Sequence, residues 1–379
     1  MRLIGAGPPV LLLHASPRSS ASLVPLAERL GGRLTCILPD TPGFGLSPPL
    51  RMARPEAGDF ADVLLETAEA LGLGPMPVYG THTGAALAAA AVLRAPARVT
   101  AAVLDGFALF DPAEQAEILS SYLTPFRPAL DGTHAAWLWS RVRDQMTAFP
   151  WNQVSDAQRL RGGPPPLATL QAIVQDFLLA GDAYRAGYAA AFRFDHFAAL
   201  REAESPLHLV APGDDLLAPL MPRAKGQGAA ARLHPIANDS EALHDLVAAL
   251  LEEAASDETT SAAELAERAR AASGARMMVD TPAGAVAVRR DGPVDAPPVA
   301  LLHDAPGGMA DLDGLAGRLA RHRDGPWRVV RVDLPGLATS PPTPGAEADI
   351  PALARAAAEA LEAAGAAGAP VAAHGAALP

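Results

Sequence analysis

Four short apolar runs, separated by windows of helical spacing, restrict this chain more than any other feature. Residues 10–13, 34–40 (LTCILPD), 76–79 and 99–105 (VTAAVLD) are continuously apolar rather than alternating. That pattern marks strands buried on both faces. Between them, residues 23–30, 60–71 and 83–93 carry apolar side chains at the helical period. Strand and helix alternating at this short spacing predict an α/β architecture with a doubly wound, mostly parallel sheet. Residues 111–195 break the rhythm with helical patterns, and strand-like runs return at 206–215 and 231–236 before a helix over 241–253. The interruption reads as a helical cap inserted between strands of one sheet.

The chain has 379 residues, room for two domains or for one large domain with an extension. Half the residues are hydrophobic, enough for a sizeable core, and only 5% are aromatic. A formal net charge of −12 argues against a nucleic-acid footprint and against binding to anionic membrane surfaces. Cys36 is the single cysteine, so an intrachain disulfide is excluded and a reducing compartment fits. The run PPVLLLHASP is too short and too proline-bounded for a secretory h-region, and no run approaches the roughly 20 apolar residues of a bilayer span. A soluble cytoplasmic protein acting on a small molecule is the expectation, with no metal, cofactor, nucleic-acid or membrane partner; oligomerisation stays open. GAGPP at 5–9 lacks the spacing and strand–helix context of a dinucleotide fingerprint.

Residues 252–276 are polar, apart from Leu265, and suit a linker with one exposed helix. An internal repeat follows. PPVLLLHASP (8–17) returns as PPVALLHDAP (297–306), LPDTPGFGLSPP (38–49) as VDLPGLATSPP (332–342), and PMPVYGTHTGAAL (75–87) as GAPVAAHGAALP (368–379). The offset is 289 at His14/His303 and holds at 293 for Asp40/Asp333, Ser47/Ser340 and Val78/Val371. The predicted organisation is a domain at 1–253 with its cap at 111–195, a linker at 254–274, and a partial, non-catalytic second copy at 275–379. That copy opens on a hairpin pattern at 276–290 and pairs His82 with Gly375. The hairpin could also complete the sheet edge of the first copy.

Residues 78–86 read VYGTHTGAA, a strand end running through Gly-x-His-x-Gly into an alanine-rich helix. The order of features over 1–253 resembles the α/β-hydrolase superfamily. LLLHASP stands where that family has its oxyanion loop, PDTPGFGLSPP at the turn after the next strand, residues 80–84 at the nucleophile elbow, and GDDLLAP at the acid loop. An elbow needs glycines because the nucleophile sits on a tight strand-to-helix turn with no room for side chains two residues away. Gly80 and Gly84 meet that need and would project residue 82 from the top of the sheet. The resemblance places an oxyanion hole at the N–H groups of Thr83 and of Ala15 or Ser16.

Two departures from the family occur together. The elbow serine is replaced by His82, and the loop after the last strand (237–240) holds no histidine; His234 falls in the strand pattern and His244 in the helix. Imidazole has an unperturbed pKa of about 6.5, so a neutral His82 could act as nucleophile or general base without a separate base. The following helix N-terminus is expected to hold it neutral. A carboxylate should orient it: Asp215 by the resemblance, with Asp105 at the preceding strand end as the other candidate and Asp214 as a solvated loop residue. Candidate substrate-binding residues are His14 and the cap's Trp137, Arg141, Arg143 and Trp151, aromatic and cationic groups concentrated in an aromatic-poor chain. The implied activity is hydrolysis of an ester, thioester or carbon–carbon bond of a small organic substrate. The rival reading is a ligand-binding pseudoenzyme of the same fold.

Overall fold

The apolar runs assemble into two α/β units, Met1–Leu265 and Ala266–Pro379, in the computed structural model. The structure describes residues 1–153, 155–156, 158–160, 165–271, 276–282, 284–340 and 349–373.

In the first unit, the strands are β1 (Arg2–Ile4), β2 (Ala6–Gly7), β3 (Pro9–Leu13), β4 (Thr35–Leu38), β5 (Met76–Thr81), β6 (Val99–Asp105), β7 (Leu207–Pro212) and β8 (Ala231–Ile236). Seven of them form one sheet in the order β1-β4-β3-β5-β6-β7-β8. β1 is antiparallel to β4 and all other pairs are parallel. Strands of this kind must be covered on both faces, which is why β3 and β4 are wholly buried. The covering helices include α1 (Val24–Leu30), α2 (Ala57–Ala70) and α3 (Thr83–Arg94). α2 begins three residues before the hydrophobic period does, because Glu56 and Asp59 form a capping box. The alanines of α3 let it lie close against the sheet, with Gly84 through Val92 all buried.

Between β6 and β7 stand α4 (Pro112–Ser121), α5 (Thr133–Gln145), α6 (Leu167–Ala180), α7 (Tyr184–Arg193) and α8 (His196–Glu202). They share a core of their own, built around Tyr122, Phe126, Leu138, Val142, Phe177 and Tyr184. α9 (Ser240–Ala254) then packs on the sheet through Leu243, Val247 and Leu251.

Part of the segment read as a linker with one exposed helix is paired with the first unit. β9 (Thr260–Ser261) pairs with β2, and the Thr35 hydroxyl donates to the Thr260 carbonyl at 2.5 Å. Leu265, on α10 (Ala262–Ala271), is fully buried.

The second unit contains β10 (Arg276–Thr281), β11 (Gly284–Asp291), β12 (Pro298–Leu302), α11 (Asp313–Leu319), β13 (Arg328–Asp333), α12 (Ile350–Ala363) and β14 (Val371–Ala373). Its sheet runs β10-β11-β13-β12-β14. The hairpin β10–β11 joins β13 of its own unit, so it does not complete the first unit's sheet edge.

The antiparallel β11–β13 pair and the parallel β12–β13 and β12–β14 pairs reproduce β1–β4, β3–β4 and β3–β5. Polar details follow the same register. His14 accepts the Thr41 N–H at 3.0 Å and His303 accepts that of Leu334 at 3.3 Å. Asp40 accepts the N–H groups of Ser20 and Leu46; Asp333 accepts those of Met309 and Thr339. The second unit is thus a partial second α/β repeat. The counterpart of His82, Gly375, lies outside the described residues.

Among the described residues no helix is long and apolar enough to cross a membrane.

Candidate active site

β5 ends at Thr81 and α3 begins at Thr83, so the whole turn is made by His82. Its backbone has φ 49° and ψ −108°, a left-handed conformation that a side chain larger than glycine rarely adopts and that costs on the order of 1–3 kcal/mol. The turn is held from outside: the His82 N–H donates to the Asp105 carbonyl at 2.7 Å. The flanking glycines are sterically required. A Cβ on Gly80 would lie 2.1 Å from the Gly84 carbonyl oxygen, and one on Gly84 would lie 2.2 Å from that of Leu13. Close strand–helix contact at this elbow therefore excludes any side chain at either position.

The imidazole is 32% exposed and borders a cavity of about 280 Å³. Its Nε2 lies 2.8 Å from Oδ2 of Asp215, in the loop after β7. With Nε2–H donated to the carboxylate, Nδ1 carries the lone pair of the neutral ring. The other oxygen of Asp215 accepts the Leu217 N–H at 2.8 Å, which fixes the carboxylate behind the ring. Asp214 is exposed. Asp105 stands below at the end of β6, buried, accepting the Tyr79 hydroxyl at 2.7 Å.

Three titrating groups thus share one small region. Burial lowers the His82 pKa, but the Asp215 charge and hydrogen bond, with Asp105 behind them, outweigh it and raise the value above the usual 6.5. The effect expected of the helix N-terminus, which disfavours the imidazolium, is thus opposed by the two carboxylates. Burial raises Asp215 while the His82 ring and the Leu217 N–H lower it, with a net lowering. Burial pushes Asp105 up to about 6, against the opposing pull of Tyr79 and His82.

Ala15, Ser16 and Thr83 border the same cavity as His82. Thr83 is the first residue of α3, where an N–H has no intrahelical acceptor. His14 is buried beneath this loop, bridging the Ala15 carbonyl and the Thr41 N–H, and does not reach the cavity.

Of the cap residues in that aromatic and cationic stretch, Trp137, Arg141, Arg143 and Trp151 are likewise not its walls, whereas Phe149 is. Trp137 packs against Phe126 and Trp151, and Trp151 donates to the Tyr122 carbonyl at 3.0 Å. Arg143 points outward to Asp144, and Arg141 is buried among aromatic rings. The walls are instead Phe110, Tyr122, Gln145, Phe149, Tyr188 and Phe192, with His196 of α8. Helical periodicity alone does not say which cap face meets the sheet. His196 is neutral, its pKa lowered by burial to about 4. Of the two histidines considered for the missing base, His234 lies 3.0 Å from His208 across β7 and β8, and His244 stays on α9.

An elbow between β5 and α3, an acid after β7 and a helical insertion after β6 define the class: unit 1 has the α/β-hydrolase fold. The family model described as alpha/beta hydrolase fold matches residues 8–136. A hydrolase from Pseudomonas aeruginosa PA01 is similar at 19% identity, covering 66% of this chain and 92% of its own, with a TM-score of 0.51. A thermophilic esterase from Thermogutta terrifontis is similar at 18% identity, covering 67% and 93%, with a TM-score of 0.52. An E-2-(acetamidomethylene)succinate hydrolase is similar at 20% identity, covering 65% and 91%, with a TM-score of 0.50. At these identities the likeness is one of fold. Among curated protein sequences nothing matches.

Proposed function

We propose that unit 1 is a hydrolase that cleaves an ester, thioester or carbon–carbon bond of a small organic molecule, with His82 as nucleophile or general base. The observation that carries this reading is the His82–Asp215 pair, 2.8 Å apart, at a strained turn on the edge of a cavity. A conformation this unfavourable persists when the surrounding structure imposes it, and such positions cluster at active sites.

In the base route, Nδ1 takes a proton from water as the water oxygen attacks the substrate carbonyl. Negative charge gathers on the carbonyl oxygen, facing the N–H groups of Thr83 and of Ala15 or Ser16. The imidazolium, stabilised by Asp215, returns the proton to the leaving oxygen or sulfur. In the nucleophilic route, Nδ1 attacks the carbonyl and displaces the leaving group as its anion, giving an N-acyl-imidazolium whose Nε2–H stays on Asp215. Water then cleaves the acyl group to the acid, and the proton set free goes to the departed group. Substituting His82→Ala separates function from fold. Turnover of activated esters should fall to the uncatalysed rate while the chain stays folded, since the ring borders the cavity rather than the packed core. Unchanged turnover removes His82 from the chemistry. An acyl group trapped on the peptide containing His82 selects the covalent route.

A second reading, a ligand-binding pseudoenzyme, is favoured by one observation: the nucleophile position of the elbow, residue 82, carries no hydroxyl or thiol, and the loop after β8 carries no histidine. It expects tight binding without turnover, with His82→Ala changing affinity alone. We assign the partial repeat no catalytic part. The buried, unpaired Cys36 fits a reducing, cytoplasmic setting.

A further inference from the structure

Arg141 is 1% exposed, yet it takes part in no ion pair among the described residues. Its guanidinium lies over three rings, 4.3 Å from the Trp151 centroid, 5.3 Å from Tyr122 and 5.6 Å from Phe177. Nη1 donates to Oε1 of Gln145 at 2.5 Å, while Nε and Nη2 have no hydrogen-bond partner among the described residues. The surrounding phenols do not supply the missing charge. Burial raises Tyr122, Tyr184 (to about 12) and Tyr188, so all three are neutral near pH 7.

A buried cation without a counter-ion is among the costliest features a core can hold, and ring faces compensate it only in part. Its surroundings point to where the compensation comes from. Gln145, Tyr122 and Tyr188 each touch Arg141 or its partner and each border the cavity above His82. By binding Oε1, Arg141 fixes the Gln145 side chain with its amide N–H₂ group turned the other way, towards the Tyr188 hydroxyl at 3.5 Å. The cap wall of an otherwise mainly apolar cavity therefore presents an amide and phenols, with a positive charge one side chain behind them. Aromatic walls leave that charge weakly screened. Arg18, which does border the cavity, is already held by Asp176 at 2.9 Å.

We propose that the cap end of the cavity is a carboxylate subsite: Gln145 and Tyr188 contact the anion, and the unpaired Arg141 behind them balances its charge. The substrate is then a carboxylate-bearing molecule, with its acid at the cap and its scissile bond at His82. This deepens the hydrolase reading and rests on taking the cavity as the substrate site.

Hexanoate and hexanamide, alike in shape and different in charge, test it by calorimetric titration at pH 9, well above the ordinary histidine value of about 6.5. The intact protein should bind hexanoate at least about tenfold more tightly, the scale of a hydrogen bond to a charged group. Arg141→Met and Gln145→Leu should each abolish the preference, and the exposed Arg143→Met should keep it. Equal binding of the two probes by the intact protein overturns the subsite, whatever the variants do. A preference that survives Arg141→Met, or that is lost in Arg18→Gln alone, overturns the assignment to Arg141. Gln145→Leu sits on the cavity wall and serves if Arg141→Met fails to fold. Because binding needs no turnover, hexanoate preference in a protein that cleaves no ester would sink the hydrolase reading and leave the subsite standing.

Discussion

A methyl group on Gly106 would lie 2.4 Å from Cδ2 and 2.7 Å from Nε2 of His82, so the imidazole occupies the space that the missing side chain vacates. Gly106 also has φ +65°, where any L side chain is strained. Gly106→Ala should therefore push the ring away from Asp215 rather than merely loosen the fold. The expected outcome is a loss of about 10²-fold or more in kcat/KM, because misplacement by an ångström is that costly in a positioned site. Stability should drop by about 1–3 kcal/mol. Steady-state kinetics beside a urea melt separates the two effects; full activity in Gly106→Ala would show that the ring position is immaterial.

Asp215 sets both the direction and the charge of His82. If neutral imidazole is the active form, kcat/KM should rise with pH and level off above the His82 pKa, which lies above 6.5. In Asp215→Asn, burial is left as the leading influence on the ring, and burial favours the neutral form. The rising limb should then move to lower pH while the plateau falls about 10²–10⁴-fold. A pH–rate profile of both proteins checks this, and a limb moving to higher pH contradicts it.

The sheet was legible in the chain because strands buried on both faces leave continuous apolar runs, as at Val99–Asp105, where the run and the strand coincide. The His82–Asp215 pairing was legible from the order of the elbow and the acid loop. The cavity walls were not. Trp137 stood out by rarity in an aromatic-poor chain and Arg141 by its place in the same cluster, yet scarcity does not distinguish a wall from a cap core, and both pack within the cap. Tyr188 and His196 carry no local signature; they reach the cavity only because the cap folds back on the loop after β3. The docking of Thr260 was hidden for a similar reason, since a two-residue strand has no period to read.

Asp105 gives a test on stability alone. Its pKa is about 6 in the fold against an ordinary 3.8, so the folded state holds a proton that the unfolded chain releases. Between those values stability falls as pH rises, and above about pH 6 the full penalty of the buried charge applies. Two units correspond to on the order of 3 kcal/mol. Asp105→Asn keeps an acceptor for the Tyr79 hydroxyl and removes the charge. Chemical denaturation should show the variant near the parent at pH 4 and more stable at pH 7.5. A gap that is the same at both pH values would mean that Asp105 carries no such penalty.

The boundary of the first unit is tested by where the chain is cut. Thr35 is buried, and its hydroxyl has the Thr260 carbonyl as partner, while Ala6 and Gly7 pair with Ser261 and Thr260. A chain ending at residue 253 loses all of these, leaving a buried donor unsatisfied at a cost of about 1–3 kcal/mol. A chain ending at Ala271 keeps them. The longer form should retain the urea midpoint of unit 1, while the shorter should unfold at lower urea. Restoring the hydroxyl balance with Thr35→Val should recover part of the loss in the short form only, because a valine there asks for no partner. Equal midpoints for the two lengths would mean that residues 254–265 are dispensable to the fold that holds His82.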